Sequence, residues 1–394
     1  MKDFLANELQ NRRKSRIIKL TILMLLILMI ITMFILVCIY FNNVNFRKWC
    51  DENIINKEIS QNNVKNITIN KEENVQVFAY DKYICVLRKK TLEFYNRIGV
   101  KENSIELEIV NASFSAAGRY LAICEQNGQK FYLISGKEKI YENEIEGNIN
   151  QINVNRNGYV SVVISNTSYK SVVDVFDKSG NEIFKTNLRT ARVVDVNISQ
   201  DSKYLAIAEV DLSGIIIQSS IQIVSIELAK TNTENAFVNR YEAAVGKLIM
   251  SIKYQEKNNL ICMYNDSIDI FSENGNKEFA KYEEKKLAFA TINLNNRIVL
   301  VEESAAGEYK ADTYINILNP QNNKKKQYIT SNVAKSILTS ENKIAVNFGT
   351  ELHIVSMNGI LIKKYKSNSE INDVVMTDNL AAIVYSDSIA IINF

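Results

Sequence analysis

The strongest constraint on the fold is a two-part repeat that runs from Val64 to Phe394. Its first part is an apolar strand, a polar turn and a second strand. VNASFSAAGRYLAI from Val110, INQINVNRNGYVSVVI from Ile149, VVDVNISQDSKYLAI from Val193 and INDVVMTDNLAAIV from Ile371 show it, and VQVFAYDKYICVL from Val75 is a shorter version. The second part is an alternating strand, a turn and another strand, as in LEFYNRIGVK from Leu92, VDVFDKSGNEIF from Val173, IDIFSENGNKEF from Ile268 and LHIVSMNGILI from Leu352. Alternation with a period of two sends side chains to opposite faces of a strand. Gly and Asn in the turns supply the positive φ that tight hairpins need. Four strands recurring at about 40 residues match one blade of a β-propeller, and about eight repeats are present. The expectation is an all-β propeller of about eight four-stranded blades.

The last repeat ends IAIINF at Phe394, one strand short of four. At the other end VKNITI, Val64 to Ile69, belongs to no repeat. Pairing the two ends completes the last blade and removes an open sheet edge. The propeller is therefore expected to span residues 64–394 and to close through its amino-terminal strand.

The YLAI-type second strands and the F-D-x-x-G-N turn (Phe176 to Asn181) resemble those of WD40-like and YVTN-type bacterial propellers. The arrangement of basic amino terminus, apolar segment and propeller resembles an uncharacterised clostridial family of membrane-anchored propeller proteins. The Trp-Asp dipeptide of true WD40 repeats is absent, so that likeness concerns architecture. The resemblance implies a propeller and an anchor; it brings no activity and no site residues.

Ahead of the repeats, Ile17–Phe41 reads IIKLTILMLLILMIITMFILVCIYF, with Lys19 its single charge. About 20 apolar residues suffice for a helix to cross a bilayer. Residues 17–41 are expected to be a transmembrane anchor that contacts the lipid bilayer. The basic tail of residues 1–16, with Arg12, Arg13, Lys14 and Arg16, places the amino terminus in the cytoplasm by the positive-inside rule. The run is longer than a signal-peptide core and lacks a small-x-small cleavage site, so it is expected to stay attached. Residues 42–63 read as a polar juxtamembrane linker, with a short helix within Asn45–Ile59. The propeller is then extracytoplasmic, in a bacterial cell envelope.

Composition narrows the chemistry. The net charge of +3 gives no bulk case for nucleic-acid binding. The 5 Cys are widely spaced, and Cys85, Cys124 and Cys262 lie in apolar runs as buried core residues do. His353 is the single histidine, in an alternating strand, so neither a His-rich metal site nor a Ser-His-Asp triad is expected. No phosphate loop or dinucleotide motif occurs, so no cofactor is expected. The carboxylates Asp174, Asp195, Asp269 and Asp373 would have to converge on the central channel to support a hydrolase or lactonase.

In a propeller the a–b and c–d turns of every blade share one face, here called the turn face. The b–c loops and d–a connections share the other, the loop face. The chain should enter the closing strand from the turn face, which would turn that face to the membrane. Basic residues recur there, including Lys324, Lys325 and Lys326, and would suit anionic lipid. The loop face is expected to carry the longer loops, Ser165–Ser171, Glu209–Ser219, Ala229–Lys247 and Glu302–Asp312. Its acidic residues Glu209, Asp211, Glu302, Glu303, Glu308 and Asp312 are the candidate binding residues. The function expected is a non-catalytic platform for another envelope protein or a surface polymer. The alternatives are a carboxylate-dependent hydrolase or a sensor that recruits a partner through residues 1–16.

Overall fold

The computed structural model describes residues 2–55, 57–60, 64–70, 73–165, 167–272, 275–282, 286–304 and 312–394, with side chains from residue 16 onward. It divides into two compact units, Met1–Asn56 and Lys57–Phe394.

The first unit is two helices. Helix α1 (Lys2–Asn42) runs unbroken through the basic tail and the apolar segment. Its stretch Arg16–Asn42 is long and apolar enough to cross a membrane and has no buried side of its own. Helix α2 (Val44–Asn53) starts where the Asn43 side chain accepts the Phe46 N–H at 3.0 Å, satisfying one of the donors a helix start leaves open. The Tyr40 hydroxyl donates to Asp51 at 2.8 Å and ties the two helices together.

The second unit holds eight four-stranded antiparallel sheets among the described residues. Blades 1 to 7 take their four strands a, b, c and d in sequence order from residues 76–106, 112–144, 148–188, 191–242, 249–281, 287–330 and 336–366. Blade 8 takes strands a to c from residues 373–393, and its d strand is Lys65–Thr68 from the other end of the propeller. The register runs from Lys65 opposite Ile391 to Thr68 opposite Ser388. Ile67 and Ile69 bury themselves against Ile389 and Ile391 of blade 8 and Ile84 and Val86 of blade 1. The closure anticipated from IAIINF and VKNITI is thus the closure observed.

Packing follows from position along the blade radius. Strands b and c lie between neighbouring blades on both faces, so runs such as Val160–Ser165 and Ser171–Phe176 are buried almost without alternation. Aromatic pairs bridge successive blades: Phe78 with Phe114 at 4.3 Å, Phe131 with Phe176 at 5.0 Å and Tyr241 with Phe271 at 4.5 Å between ring centroids. The buried members Phe78, Phe131, Phe176 and Phe271 each contribute roughly 1.5–3 kcal/mol through burial, while Phe114 stays partly exposed. The innermost strand of every blade is an edge with unpaired backbone groups. Side chains of the preceding blade reach several of these N–H groups: Ser115 accepts from Val154, Asp195 from Ile252 and Asn197 from Tyr254, at 3.2, 2.9 and 2.8 Å.

Two details depart from the sequence expectation. The polar linker of residues 42–63 is not uniform. Besides α2, it contains Lys57–Ile59, which pairs with the outer strand of blade 7 through Ile59 N–H to Lys364 O (2.8 Å) and Lys364 N–H to Lys57 O (2.9 Å). Ile59 is buried there, and Glu58 bonds Lys366 at 2.5 Å. The second departure is in blade 4. The expected loop Ala229–Lys247 contains that blade's d strand, Phe237–Glu242. The c–d connection before it carries the single turn α3 (Ile226–Ala229) and lies on the turn face. Ser225 caps α3, and its Ile226 and Ala229 side chains plug the gap beside blade 3. The sequence IQIVSIELAK reads as strand-turn-strand because its apolar residues alternate almost as well as they fit a helical turn.

Candidate binding surface

The expected acidic loop residues do not form one surface. Glu209 is not in a loop. It is buried in strand b of blade 4, where it accepts from Ser220 (2.9 Å) and Gln222 (2.8 Å) and pairs with Arg240 at 3.0 Å. Asp211 ends that strand and folds the loop after it, accepting from the Ser213 N–H and hydroxyl and from Thr190. Those bonds from Ser213 hold its carboxyl below the usual range. Glu302 and Glu303 end strand b of blade 6, with Glu302 accepting from Asn316 at 2.7 Å. Asp312 lies at the far end of that loop, where its N–H bonds the Ser304 hydroxyl. Glu308 lies outside the described residues. Blade 5 separates the two groups.

The candidate carboxylates for hydrolysis do not converge either. Asp195 and Asp373 lie on the a strands of blades 4 and 8, while Asp174 and Asp269 lie on the c strands of blades 3 and 5. Asp195 accepts from Gln151 and from the Ile252 N–H, so it joins three blades. Asp174 has its side chain buried against Lys185 (3.1 Å), and burial pushes its carboxyl up to about 7. Asp269 faces Lys247 at 3.5 Å.

The placement of the two c-strand carboxylates, Asp174 and Asp269, has a common cause. The strand registers put Glu93, Tyr132, Asp174, Gln222, Asp269, Asn316 and His353 at one equivalent position in the c strands of blades 1 to 7. Each faces a residue of strand d: Ser104, Glu142, Lys185, Arg240, Glu278, Gln327 and Lys364. A buried polar group needs a partner, and most of these find one beside them. Asn316 bonds Glu302 and Gln327, and His353 bonds Tyr328 at 2.8 Å and Glu351 at 3.3 Å. The His353 bond is the largest influence holding Glu351 down to about 2. Three residues that look chemical singly are therefore one repeated structural position.

The turn face is less basic than its sequence. Arg156, Lys101, Lys137, Lys203 and Lys343 are paired with Glu341, Glu93, Glu102, Asp201 and Asp378. Lys324, Lys325 and Lys326 are exposed at the start of strand d of blade 6. Arg156 of blade 3 meets Glu341 of blade 7 at 3.0 Å, four blades away in a ring of eight. That pair lies across the mouth of the central channel.

A different surface stands out on the loop face of blades 3 to 5. The b–c loop of blade 4 exposes Leu212, Ile215, Ile216 and Ile217, with Ile215 fully in solvent. Gln218 at its base donates to the Ala243 carbonyl at 2.7 Å, joining it to the next d–a connection, where Val245 and Leu248 are exposed, as is Met250 at the start of strand a of blade 5. On the blade 3 side, Thr190 bonds Asp211 at 3.1 Å, and Arg189 and Arg192 beside it are exposed and form no ion pair among the described residues. This ridge of aliphatic side chains borders a cleft of about 620 Å³ lined by Asn148, Asn150, Ser165, Tyr169, Lys170, Ser171, Arg192 and Val193. The sequence signal was Gly214-Ile215-Ile216-Ile217, an unalternating aliphatic run inside the expected loop Glu209–Ser219, where the acidic residues had drawn the reading instead. The cleft had no local signal, because its wall residues come from two blades.

Fold and surface together define an eight-bladed β-propeller with an apolar ridge and a basic cleft on one face, preceded by an apolar helix. The chain belongs to a family of unknown function, DUF5711, whose model matches residues 56–394. No curated protein matches it. Among solved structures it is similar to BamB from Moraxella catarrhalis, at 12% identity and a TM-score of 0.53 over 86% of this chain and 100% of that one. It is also similar to Chaetomium thermophilum Sqt1 bound to the N-terminus of ribosomal protein L10, at 11% identity and 0.53 over 86% and 100%. The dihydro-heme d1 dehydrogenase NirN in complex with DHE matches at 11% and 0.52 over 84% and 75%. Such distant likenesses establish the fold alone.

Proposed function

We propose that this protein is a platform held at a membrane by α1, with its propeller outside the cytoplasm, and that it binds a protein partner through the loop face of blades 3 to 5. The observation that carries the reading is the exposed ridge of Leu212, Ile215, Ile216 and Ile217 with Val245, Leu248 and Met250. Contiguous exposed aliphatic side chains cost solubility unless something covers them. Arg189 and Arg192 at its foot, exposed and in no ion pair among the described residues, favour a partner segment that is both aliphatic and acidic. Propellers with this architecture include binders of protein segments, as the Sqt1 complex with the N-terminus of L10 illustrates. Membrane attachment draws support from the length of α1 and the cationic residues before its apolar stretch. A hydrolase working through the channel has less support, because its four candidate carboxylates sit on four blades.

The test is purification of the full chain from its native membranes after mild crosslinking. Ile215→Ser/Ile216→Ser/Ile217→Ser should abolish recovery of a specific partner, and Lys324→Gln/Lys325→Gln/Lys326→Gln should not. Recovery that depends on the lysines and ignores the isoleucines would contradict the proposal.

A further inference from the structure

The cleft beside the ridge is a built site of a different kind. Its volume of about 620 Å³ lies in the range of small-molecule clefts, roughly 300–1,000 Å³. Such clefts are usually lined mostly by apolar groups, but here Val193 is the single aliphatic lining residue. Two amides, two hydroxyls, a tyrosine and the cations Lys170 and Arg192 make up the rest, with no carboxylate among them. Both cations are exposed, and neither forms an ion pair among the described residues.

The walls are braced rather than loose. Strand a of blade 3 shifts register between Ile149 and Gln151, as strand a of blades 4 to 6 also does, and leaves Asn150 exposed at the rim of the cleft. The Ser165 hydroxyl holds Asn150 at 2.8 Å, the Ser171 hydroxyl accepts the Val193 N–H of blade 4 at 3.1 Å, and Thr167 accepts the Tyr169 N–H at 3.1 Å. Gly147 passes under the cleft with φ +102°, and an added Cβ there would fall 2.6 Å from the Ser165 carbonyl oxygen and 2.8 Å from Thr167 Cγ2. Only glycine lets the d–a connection lie that close to the b–c loop.

We infer that this cleft binds a hydroxyl-rich anion of sugar size, with Lys170 and Arg192 holding its carboxylate or phosphate and the amide and hydroxyl groups reading its hydroxyls. Lysine and arginine donate to either anion, and arginine does so through two parallel N–H groups. Asn148, Asn150, Ser165, Tyr169 and Ser171 offer both donors and acceptors, as sugar hydroxyls require. The inference goes beyond the docking proposal and shares with it the loop face and Arg192, but none of the ridge's aliphatic residues.

The test is calorimetric titration of the full chain in nanodiscs of phosphatidylcholine with glucuronate, glucose 6-phosphate, glucose and inorganic phosphate. Glucuronate or glucose 6-phosphate should bind at least ten-fold tighter than both glucose and inorganic phosphate, and which of them binds tighter identifies the anion. Lys170→Gln and Arg192→Gln should each weaken that binding about ten-fold or more, equivalent to about 1.4 kcal/mol. Ile216→Ser should leave it unchanged, which separates this site from the ridge. Equal binding of inorganic phosphate, indifference to both cation variants, or no binding of either sugar anion would overturn the inference.

Discussion

Arg156 and Glu341 come from blades on opposite sides of the ring, yet their side chains meet at 3.0 Å. Residues 185 positions apart in sequence are brought together by closure of the propeller, not by any local element. The pair spans the turn-face mouth of the channel, so it reports on ring closure as well as on electrostatics. Both side chains are nearly half exposed. A double-mutant cycle with Arg156→Gln and Glu341→Gln should give a coupling of about 0.2–1 kcal/mol. It should shrink further in 1 M salt, where screening acts within about 3 Å. A coupling of several kcal/mol would mean that the pair is buried from solvent.

The closing strand should matter far more. Ile67 is buried between blades 8 and 1, where it packs on Ile389 and Ile84. Ile67→Ala should destabilise the propeller by about 2–5 kcal/mol, read as a lower midpoint in urea unfolding. Thr68→Ala at the end of the same strand, with its side chain in solvent, should change the midpoint little.

Asp174 gives a pH signature. Burial raises its folded-state carboxyl from 3.8 to about 7, so between those values the folded chain binds more protons than the unfolded one. Stability then falls as pH rises through that window. Asp174→Asn should remove this loss, making the variant the more stable at pH 8 by on the order of 1 kcal/mol after loss of the Lys185 bond. The advantage should vanish near pH 4. Thermal unfolding at the two pH values measures it, and an advantage that grows at low pH would reverse the assignment.

Gly147 links stability to the cleft. Gly147→Ala should cost on the order of 1–3 kcal/mol, because the added Cβ meets the Ser165 carbonyl in a left-handed backbone conformation. Gly136→Ala, also at positive φ but with open space around its Cβ, should cost only on the order of 1 kcal/mol. Comparison of the two melting temperatures separates crowding from backbone strain.

The propeller was legible because its blades obey local rules. Alternation, turn glycines and a spacing of about 40 residues each act within one repeat, and the odd strand VKNITI had one place to go. Blade 4 resisted because α3 replaces a hairpin turn with a short amphipathic run. The site was hardly legible at all. Glu209 looks like a loop acid in sequence, but pairing with Ser220 and Arg240 puts it inside the blade. Lys170 and Arg192 become a cleft only when blades 3 and 4 pack side by side. Recognition surfaces on a propeller arise between repeats, and a periodic sequence does not display what lies between its periods.

The central claim is that the ridge at Ile215–Ile217 is covered by an aliphatic, acidic segment of a partner. The most direct measurement is photocrosslinking in native membranes with p-benzoylphenylalanine placed at Ile216, or at Lys178 on the turn face, followed by mass-spectrometric mapping of the joined residues. The prediction is one discrete adduct from position 216, mapped to a segment carrying both carboxylates and aliphatic side chains, and no such adduct from position 178. An adduct with that partner from 178 alone, or no discrete adduct from 216, would contradict it.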